Sequence, residues 1–551
     1  MNGFVAPNFG VTTAAPGAPA TLGTSTAPSR PTVQDLQPVI IGAGPAGIRA
    51  AQALVAAGLR PIVLDESLRA GGQIYRQPPA APGYTRTPAT LYGFEHRKAT
   101  RLHRLMAQLA PSIDYEPGSL VWNLADGVLD VMRDGSSRQV PYRHLIIATG
   151  ATDRVLPMPG WLTPGVYTLG GAQVALKYQG CAIGSRVVFM GTGPLLYLVA
   201  YQYAKAGAHV AAVLDTARFK DRLVALPGLL RAPVLLAKGL YYMAWLRRHG
   251  VTLHEGVRPL RVVGDTRVEA VEFQAGTQTM TVACDALGFG LGLRSETQLA
   301  SLAGCRYAFN ARDRAWLPTH DAAGRSSVAG VYLAGDGAGI AGADAAELSG
   351  ERAALALLQD MGRQVDPRHV RSLDGKLLRW QRIRDALERA FPFPDDWAAG
   401  IEDDVMVCRC EEISAGTLRA SVAGQGTQEL NRLKALTRVG MGRCQGRMCG
   451  AAAAEVLAHA CGVGPDQVGR LRPQPPVKPI PIHIVMMATP GTAAAATSST
   501  PAAPATPIAS TTLAPSAVPA VAVVASAADT AAHDAARAVV PAATESVEVH
   551  R

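Results

Sequence analysis

Short apolar runs alternate with stretches of helical period along much of the 551-residue chain. Gln37-Pro-Val-Ile-Ile41 passes directly into Gly42-Ala-Gly44-Pro45-Ala46-Gly47 and then into a helical pattern over 48–57. A brief apolar run bounded by glycine and followed by helical periodicity predicts a strand, a turn and a helix. A second strand, 61–64, ends on Asp65-Glu66, 18 residues beyond Gly47. That completes a dinucleotide-binding unit, in which the glycines allow a tight turn, close approach of backbone to pyrophosphate, and helix-to-strand packing, and the acid is left for a ribose. The arrangement recurs at 186–190, Gly191-Thr-Gly193-Pro-Leu-Leu196 and 210–214, followed by Asp215. Between the two units a helical stretch (91–109) gives way to short alternating runs at 119–122 and 128–132, and similar short strands fill 251–289. Residues 342–359 read as a further helix.

Both ends break this pattern. Residues 1–34 carry one charged residue, Arg30, among Ala, Pro, Thr and Gly, and the C-terminal stretch repeats the bias in runs such as AAAATSSTPAAPATP. Such composition cannot bury a core, so both tails are expected to be disordered. No window offers the ~18 uninterrupted apolar residues of a membrane span, and no basic region precedes an apolar run at the N-terminus. The expected location is cytoplasmic. The net charge of +10 favours anionic partners, but the basic residues are scattered rather than gathered with aromatics, which argues against nucleic acid.

Three further landmarks follow the first unit: Gly71-Gly72-Gln73-Ile74, the strand 144–148 ending in Thr149-Gly150, and the strand 330–334 ending in Gly335-Asp336-Gly337. Their order and spacing resemble the flavoproteins built from two dinucleotide domains, the glutathione-reductase-like and thioredoxin-reductase-like oxidoreductases. The resemblance implies an α/β fold with two interleaved Rossmann-like domains and FAD in the first. It places the pyrophosphate at Gly42, Gly44 and Gly47, the adenosine ribose at Asp65 beside Glu66, and the ribityl chain at Asp336. In the second unit Asp215 favours an unphosphorylated ribose, hence NAD over NADP. Leu196 stands where a third glycine would let helix and strand pack closely, so a scaffold or another nucleotide is the alternative.

Five of the eight cysteines crowd into 54 residues: Cys408, Cys410, Cys444, Cys449 and Cys461. Without an export signal or a short loop-rich chain, this reads as metal ligation rather than a disulfide framework. Four thiolates with no paired His fit zinc or an iron–sulfur cluster, and the one-residue Cys408–Cys410 spacing is tight for a zinc knuckle. The pattern resembles the bacterioferritin-associated-ferredoxin-like (BFD-like) domain, a small helical unit binding [2Fe-2S] through four cysteines, although four residues rather than two separate Cys444 from Cys449. That spacing, with Gly71-Gly-Gln-Ile-Tyr-Arg76, Thr149-Gly-Ala-Thr-Asp-Arg154, Pro159-Gly-Trp161, Leu169-Gly-Gly-Ala-Gln173 and Pro475-Pro-Val-Lys-Pro479, resembles one branch of flavoproteins. These are the large FAD/[2Fe-2S] subunits of the opine oxidase, D-hydroxyproline dehydrogenase and hydrogen cyanide synthase group. Cys461 falls outside the four-ligand pattern and reads as a packed free thiol.

The expected organisation is an FAD-binding domain in two parts (35–180 and 291–362), a second dinucleotide domain (181–290), a helical linker (363–400), a [2Fe-2S] domain (401–482) and the tails 1–34 and 483–551. The resemblance implies an electron-relaying oxidoreductase subunit. Its partners would be a smaller FAD-containing subunit that oxidises a C–N bond and a small ferredoxin-like subunit, with peripheral association at the respiratory membrane. No catalytic base stands out by position. A self-contained NADH-dependent reductase and a non-catalytic redox or iron sensor are the alternatives. Disulfide reductase chemistry is excluded, because residues 35–180 hold no cysteine and no C-x-x-C occurs anywhere.

Overall fold

A computed structural model describes residues 36–79 and 86–487. Two five-stranded parallel sheets organise these residues. The first runs in the order Val331–Leu333, Leu145–Ile147, Val39–Ile41, Ile62–Asp65, Asp114–Pro117. Its central strands are apolar without alternation, as strands covered on both faces must be. Helices Pro45–Ala56 and Ala343–Asp360 cross one face in close contact, since a Cβ at Gly350 would lie 2.0 Å from the Ala46 carbonyl oxygen. That approach sets the Gly335–Gly337 turn beside the first glycine loop.

The second sheet runs Thr252–Glu255, His209–Asp215, Arg186–Thr192, Ala286–Leu291, Val166–Thr168. Its last strand moves an expected boundary: Val166–Thr168 pairs with Leu287–Phe289, so the second domain draws on chain that precedes residue 181. Antiparallel three-stranded sheets, Leu120–Pro141 and Val257–Ala283, are the short alternating runs of the sequence. The expected helix 91–109 is divided, with Pro88–Tyr92 ending at Gly93 (φ +54°) and His96–Leu109 following.

The linker is mainly one 24-residue helix, Pro367–Ala390, whose Ala386 and Ala390 pack on Ala225 and Leu229 of helix Phe219–Leu229. The cysteine-bearing domain is a hairpin, Met406–Cys408 with Ile413–Ser414, and three helices, Ala415–Gln425, Leu430–Thr437 and Gly450–Cys461. It does not carry a separate core. Val407, Leu418, Leu433, Val456 and Leu457 belong to the same buried cluster as Val188, Met190, Leu214 and Phe289 of the second sheet. Of the expected tails, 1–34 lies outside the described residues, as does 488–551, while Ile482–Met487 forms a short helix. Among the described residues, no helix is long and apolar enough to cross a membrane.

Candidate functional site

The first glycine loop is shaped by contact. A Cβ at Gly42 (φ +104°) would lie 2.4 Å from the Ala148 carbonyl oxygen, and one at Gly47 would lie 1.8 Å from that of Gly42. Gly44 faces Gly72, whose own Cβ would meet Gly44 Cα at 3.0 Å and Pro45 Cδ at 3.4 Å. No side chain caps helix Pro45–Ala56, so its first-turn amides are left for an anion, as a dinucleotide pyrophosphate requires.

Asp65 closes the strand beside this loop, accepting from the amides of Ala43 and Ser67, the latter at 2.7 Å. Burial raises its carboxyl above the usual range against the pull of those amides. Glu66 is exposed and ion-paired with Lys478. Asp336 accepts from the amides of Ala341 and Gly342, both at 2.9 Å, at the entry to helix Ala343–Asp360. Burial raises its carboxyl too. Thr149, Gly150 and Gly337 meet at the same strand ends, where a Cβ on Gly337 would lie 2.9 Å from Thr149 Oγ1. Gln73 is exposed and accepts from Arg76 Nη2 at 2.7 Å. Loop, strand-end acid and late Asp thus gather at the strand ends of one sheet, and the residues present fit FAD.

The second unit keeps the turn and alters the acid. A Cβ at Gly191 would lie 1.8 Å from the Gly290 carbonyl oxygen, whereas Gly193 (φ +101°) faces open space. Asp215 does not present its carboxylate to a ribose as expected. It is 0% exposed, accepts from Tyr197 Oη at 2.7 Å and the Ala217 amide at 2.8 Å, and is ion-paired with Arg222. Burial pushes its carboxyl up to about 6. Leu196, at the missing third glycine, is fully buried in the domain core. A cavity of about 380 Å³ remains at the strand ends, lined by Gly191, Thr216, Phe289 and Arg258 and walled by Trp397 and Ile401 from the approach to the cysteine domain.

The four cysteines come from separate elements. Cys408 ends a strand, Cys410 follows in the turn, Cys444 lies in the loop after helix Leu430–Thr437, and Cys449 is the residue before helix Gly450–Cys461. Glycine is required in that loop, because a Cβ at Gly442 would lie 2.3 Å from Cys410 Cβ, and Gly440 and Gly446 both abut Leu471. The thiols lie close enough to act on one another, Cys449 on both Cys408 and Cys444, and Cys444 on Cys410. The contact with Cys449 pushes the Cys408 thiol down to about 6 and the Cys444 thiol to about 4, and raises Cys449 itself. Burial raises Cys410. Among the described residues no set of three or more His, Cys, Asp or Glu side chains converges as a single-ion site. Four cysteine side chains gathered from a strand end, a turn, a glycine-rich loop and a helix start are a donor set that fits a two-iron cluster. Cys461 stands apart, its thiol 3.4 Å from the Thr427 carbonyl oxygen.

Several residues at these sites carry no local signal in the sequence. Glu296 and Arg447 form a largely buried ion pair at 2.7 Å across 151 residues of chain. Lys177, 1% exposed, donates to the Ile74 carbonyl in the Gly71-Gly-Gln-Ile segment.

Comparison with known proteins agrees with this geometry. Residues 36–350 match the model of the pyridine nucleotide-disulphide oxidoreductase family, and 406–459 that of the BFD-like [2Fe-2S] binding domain. The opine oxidase A subunit of Agrobacterium tumefaciens (strain Ach5) is 38% identical, over 80% of this chain and 90% of its own length. Hydrogen cyanide synthase subunit HcnB of Pseudomonas aeruginosa is 34% identical, over 81% of this chain and 97% of its own. The solved L-proline dehydrogenase of P. horikoshii shares the fold, with a TM-score of 0.59 at 21% identity, covering 82% of this chain and 79% of that one. The chain belongs to the pyridine nucleotide-disulphide oxidoreductase family, in the group of opine oxidase A subunits and HcnB, with FAD and a [2Fe-2S] cluster as its cofactors.

Proposed function

We propose that this chain relays electrons within an amino-acid, imino-acid or opine dehydrogenase complex whose C–N bond oxidation takes place on a separate, smaller flavoprotein subunit. The observation that carries this is the direct bonding of the cysteine loop to the flavin-side turn. Arg294 Nη1 donates to the carbonyls of Gly446 and Arg447 at 3.2 and 2.7 Å, Gln298 Nε2 donates to that of Gln445 at 2.8 Å, and Glu296 joins Arg447 to Thr149 and Gly150. When bound, the flavin would accept electrons in pairs and release them one at a time to a cluster that carries one, so the two together would convert hydride-level oxidation into one-electron flow. The chain's own residues hold the pyrophosphate at Gly42–Gly47, pack the cysteine domain on the core of the second dinucleotide sheet, and keep the cluster loop fixed on the flavin turn.

The names of the relatives, opine oxidase and hydrogen cyanide synthase subunits, support the substrate class and the multi-subunit setting. An exposed apolar stripe on helix Phe219–Leu229, comprising Phe219, Leu223 and Leu226 and continued by Leu230, supports a protein partner. A cytoplasmic location, a small ferredoxin-like partner and peripheral association with the respiratory membrane complete the reading.

The inward-turned Asp215 favours this relay over a self-contained NADH reductase. Adding NADH anaerobically to the purified holoprotein should leave the flavin and cluster bands unchanged, whereas photochemical reduction of the flavin should bleach both. Bleaching of both by NADH would make the chain a reductase in its own right. A cluster that stays oxidised beside a photoreduced flavin would remove the relay.

A further inference from the structure

A charge pair that is not needed for ligating either cofactor holds the loop between the third and fourth cysteines. Arg447 lies between Cys444 and Cys449. Its Nε donates to Glu296 Oε2 at 2.7 Å, and its Nη1 donates to the Val477 carbonyl and lies 3.5 Å from that of Cys444. The two side chains are 13% and 9% exposed. Glu296 is fixed through its backbone to the turn closing the flavin cradle: its amide donates to the Gly150 carbonyl at 2.9 Å, and its carbonyl accepts from Thr149 Oγ1 at 2.6 Å. Taking both charges out of water carries a desolvation cost that an apolar pair would not, so stability alone is a weak reason for a buried ion pair here.

Iron–sulfur potentials respond to net charge and hydrogen bonding around the sulfurs. We infer that Arg447 and Glu296 form a compensated charge pair that sets the reduction potential of the cluster while fixing its loop on the Thr149–Gly150 turn. Arg447 is a positioning residue. It ligates nothing and acts through the Cys444–Cys449 loop, and the inference rests on the reading of the four cysteines as the cluster's ligands. The pair itself is neutral, and Glu296 also feels the charges of Arg294 and Lys478, which none of the substitutions alters. Removing one member therefore changes the local charge by one unit in surroundings that screen it poorly. Glu296→Gln leaves the guanidinium, which favours the more negative, reduced cluster and moves the potential up. Arg447→Gln leaves the carboxylate and moves the potential down. Replacing both restores neutrality and brings the potential back towards that of the parent.

The test is a redox titration at pH 8 of the holoprotein, Glu296→Gln, Arg447→Gln and the double variant, followed by the electron paramagnetic resonance of the reduced cluster alongside iron content. Opposite shifts in the single variants, reversed in the double, are expected. Shifts of one sign, or none, in variants that keep a full complement of iron would overturn the inference, because loosening of the loop alone would move both singles the same way. Arg447→Lys keeps the charge and loses the planar fork, so it should hold the potential near the parent's. If Arg447→Gln loads no cluster, Glu296→Gln against Arg447→Lys still decides the sign, and an unshifted Glu296→Gln overturns the inference. A parent protein with neither iron nor cluster signal would sink the cysteine reading itself, and the inference with it.

Discussion

At the scale of single residues, Lys177 connects the fold to pH. Burial, with repulsion from Arg76 added, pushes its ammonium down to about 7 from an ordinary value of 10.5. Between those limits the unfolded chain binds the proton that the folded chain gives up, so folding stability should rise as pH rises from about 7 to 10.5, and the full penalty is present below about 7. Lys177→Met should flatten that segment of a plot of denaturant midpoint against pH, and an unchanged slope would assign the dependence elsewhere. Gly47 acts through space alone. Its Cβ would lie 1.8 Å from the Gly42 carbonyl oxygen, so Gly47→Ala must spread the pyrophosphate loop. FAD retention should fall by at least ~10-fold, or about 1.4 kcal/mol, read from flavin released on dilution. The glycines and Asp65 were legible because they fall within one strand–turn–helix–strand unit, the glycines within six residues and Asp65 18 residues beyond Gly47. Glu296 and Arg447 were not, because their partnership exists only once residues 151 positions apart are brought together.

At the scale of elements, the hairpin and three helices around the cysteines gain their rigidity from the second dinucleotide domain. Trp161 Nε1 donates to the Met406 carbonyl at 2.7 Å, Trp397 Nε1 donates to that of Pro157 at 2.9 Å, and the Trp161 ring meets Phe289 edge-on. Trp161 is 5% exposed, so Trp161→Ala should cost about 3–5 kcal/mol. Because the buried cluster is shared, thermal melting of the variant should lower the transition of the whole described body rather than release the cysteine domain alone. A separate early transition would show two independent cores. Helix boundaries within a periodic stretch were less legible. The division of 91–109 at Gly93 depends on a left-handed turn that the apolar pattern does not register.

At the scale of the whole molecule, two parallel sheets each repeat the strand–glycine turn–helix plan, yet they diverge in geometry. The first leaves uncapped amides and a cradle between Asp65 and Asp336. The second turns its acid inward to Tyr197 and Arg222, and the segment carrying Trp397 and Ile401 walls the cavity at its strand ends. The absence of a third glycine at Leu196 already pointed to that divergence. The inward rotation of Asp215 was not readable, since the sequence shows an acid at a strand end and not which way its side chain faces.

Both glycine turns, the acids that follow them, the Gly-Asp turn and the four cysteines with their spacing could be read from the chain before any fold was known. These local units depend on backbone conformations and ligand types that only certain residues supply, at separations the covalent chain fixes. Folding in three dimensions was needed to bring Val166–Thr168 into the second sheet, to merge the core of the cysteine domain with that sheet, and to bind Glu296 of the flavin turn to the cluster loop. Each is a contact between distant segments, formed by burial of apolar surface that has no direction along the sequence.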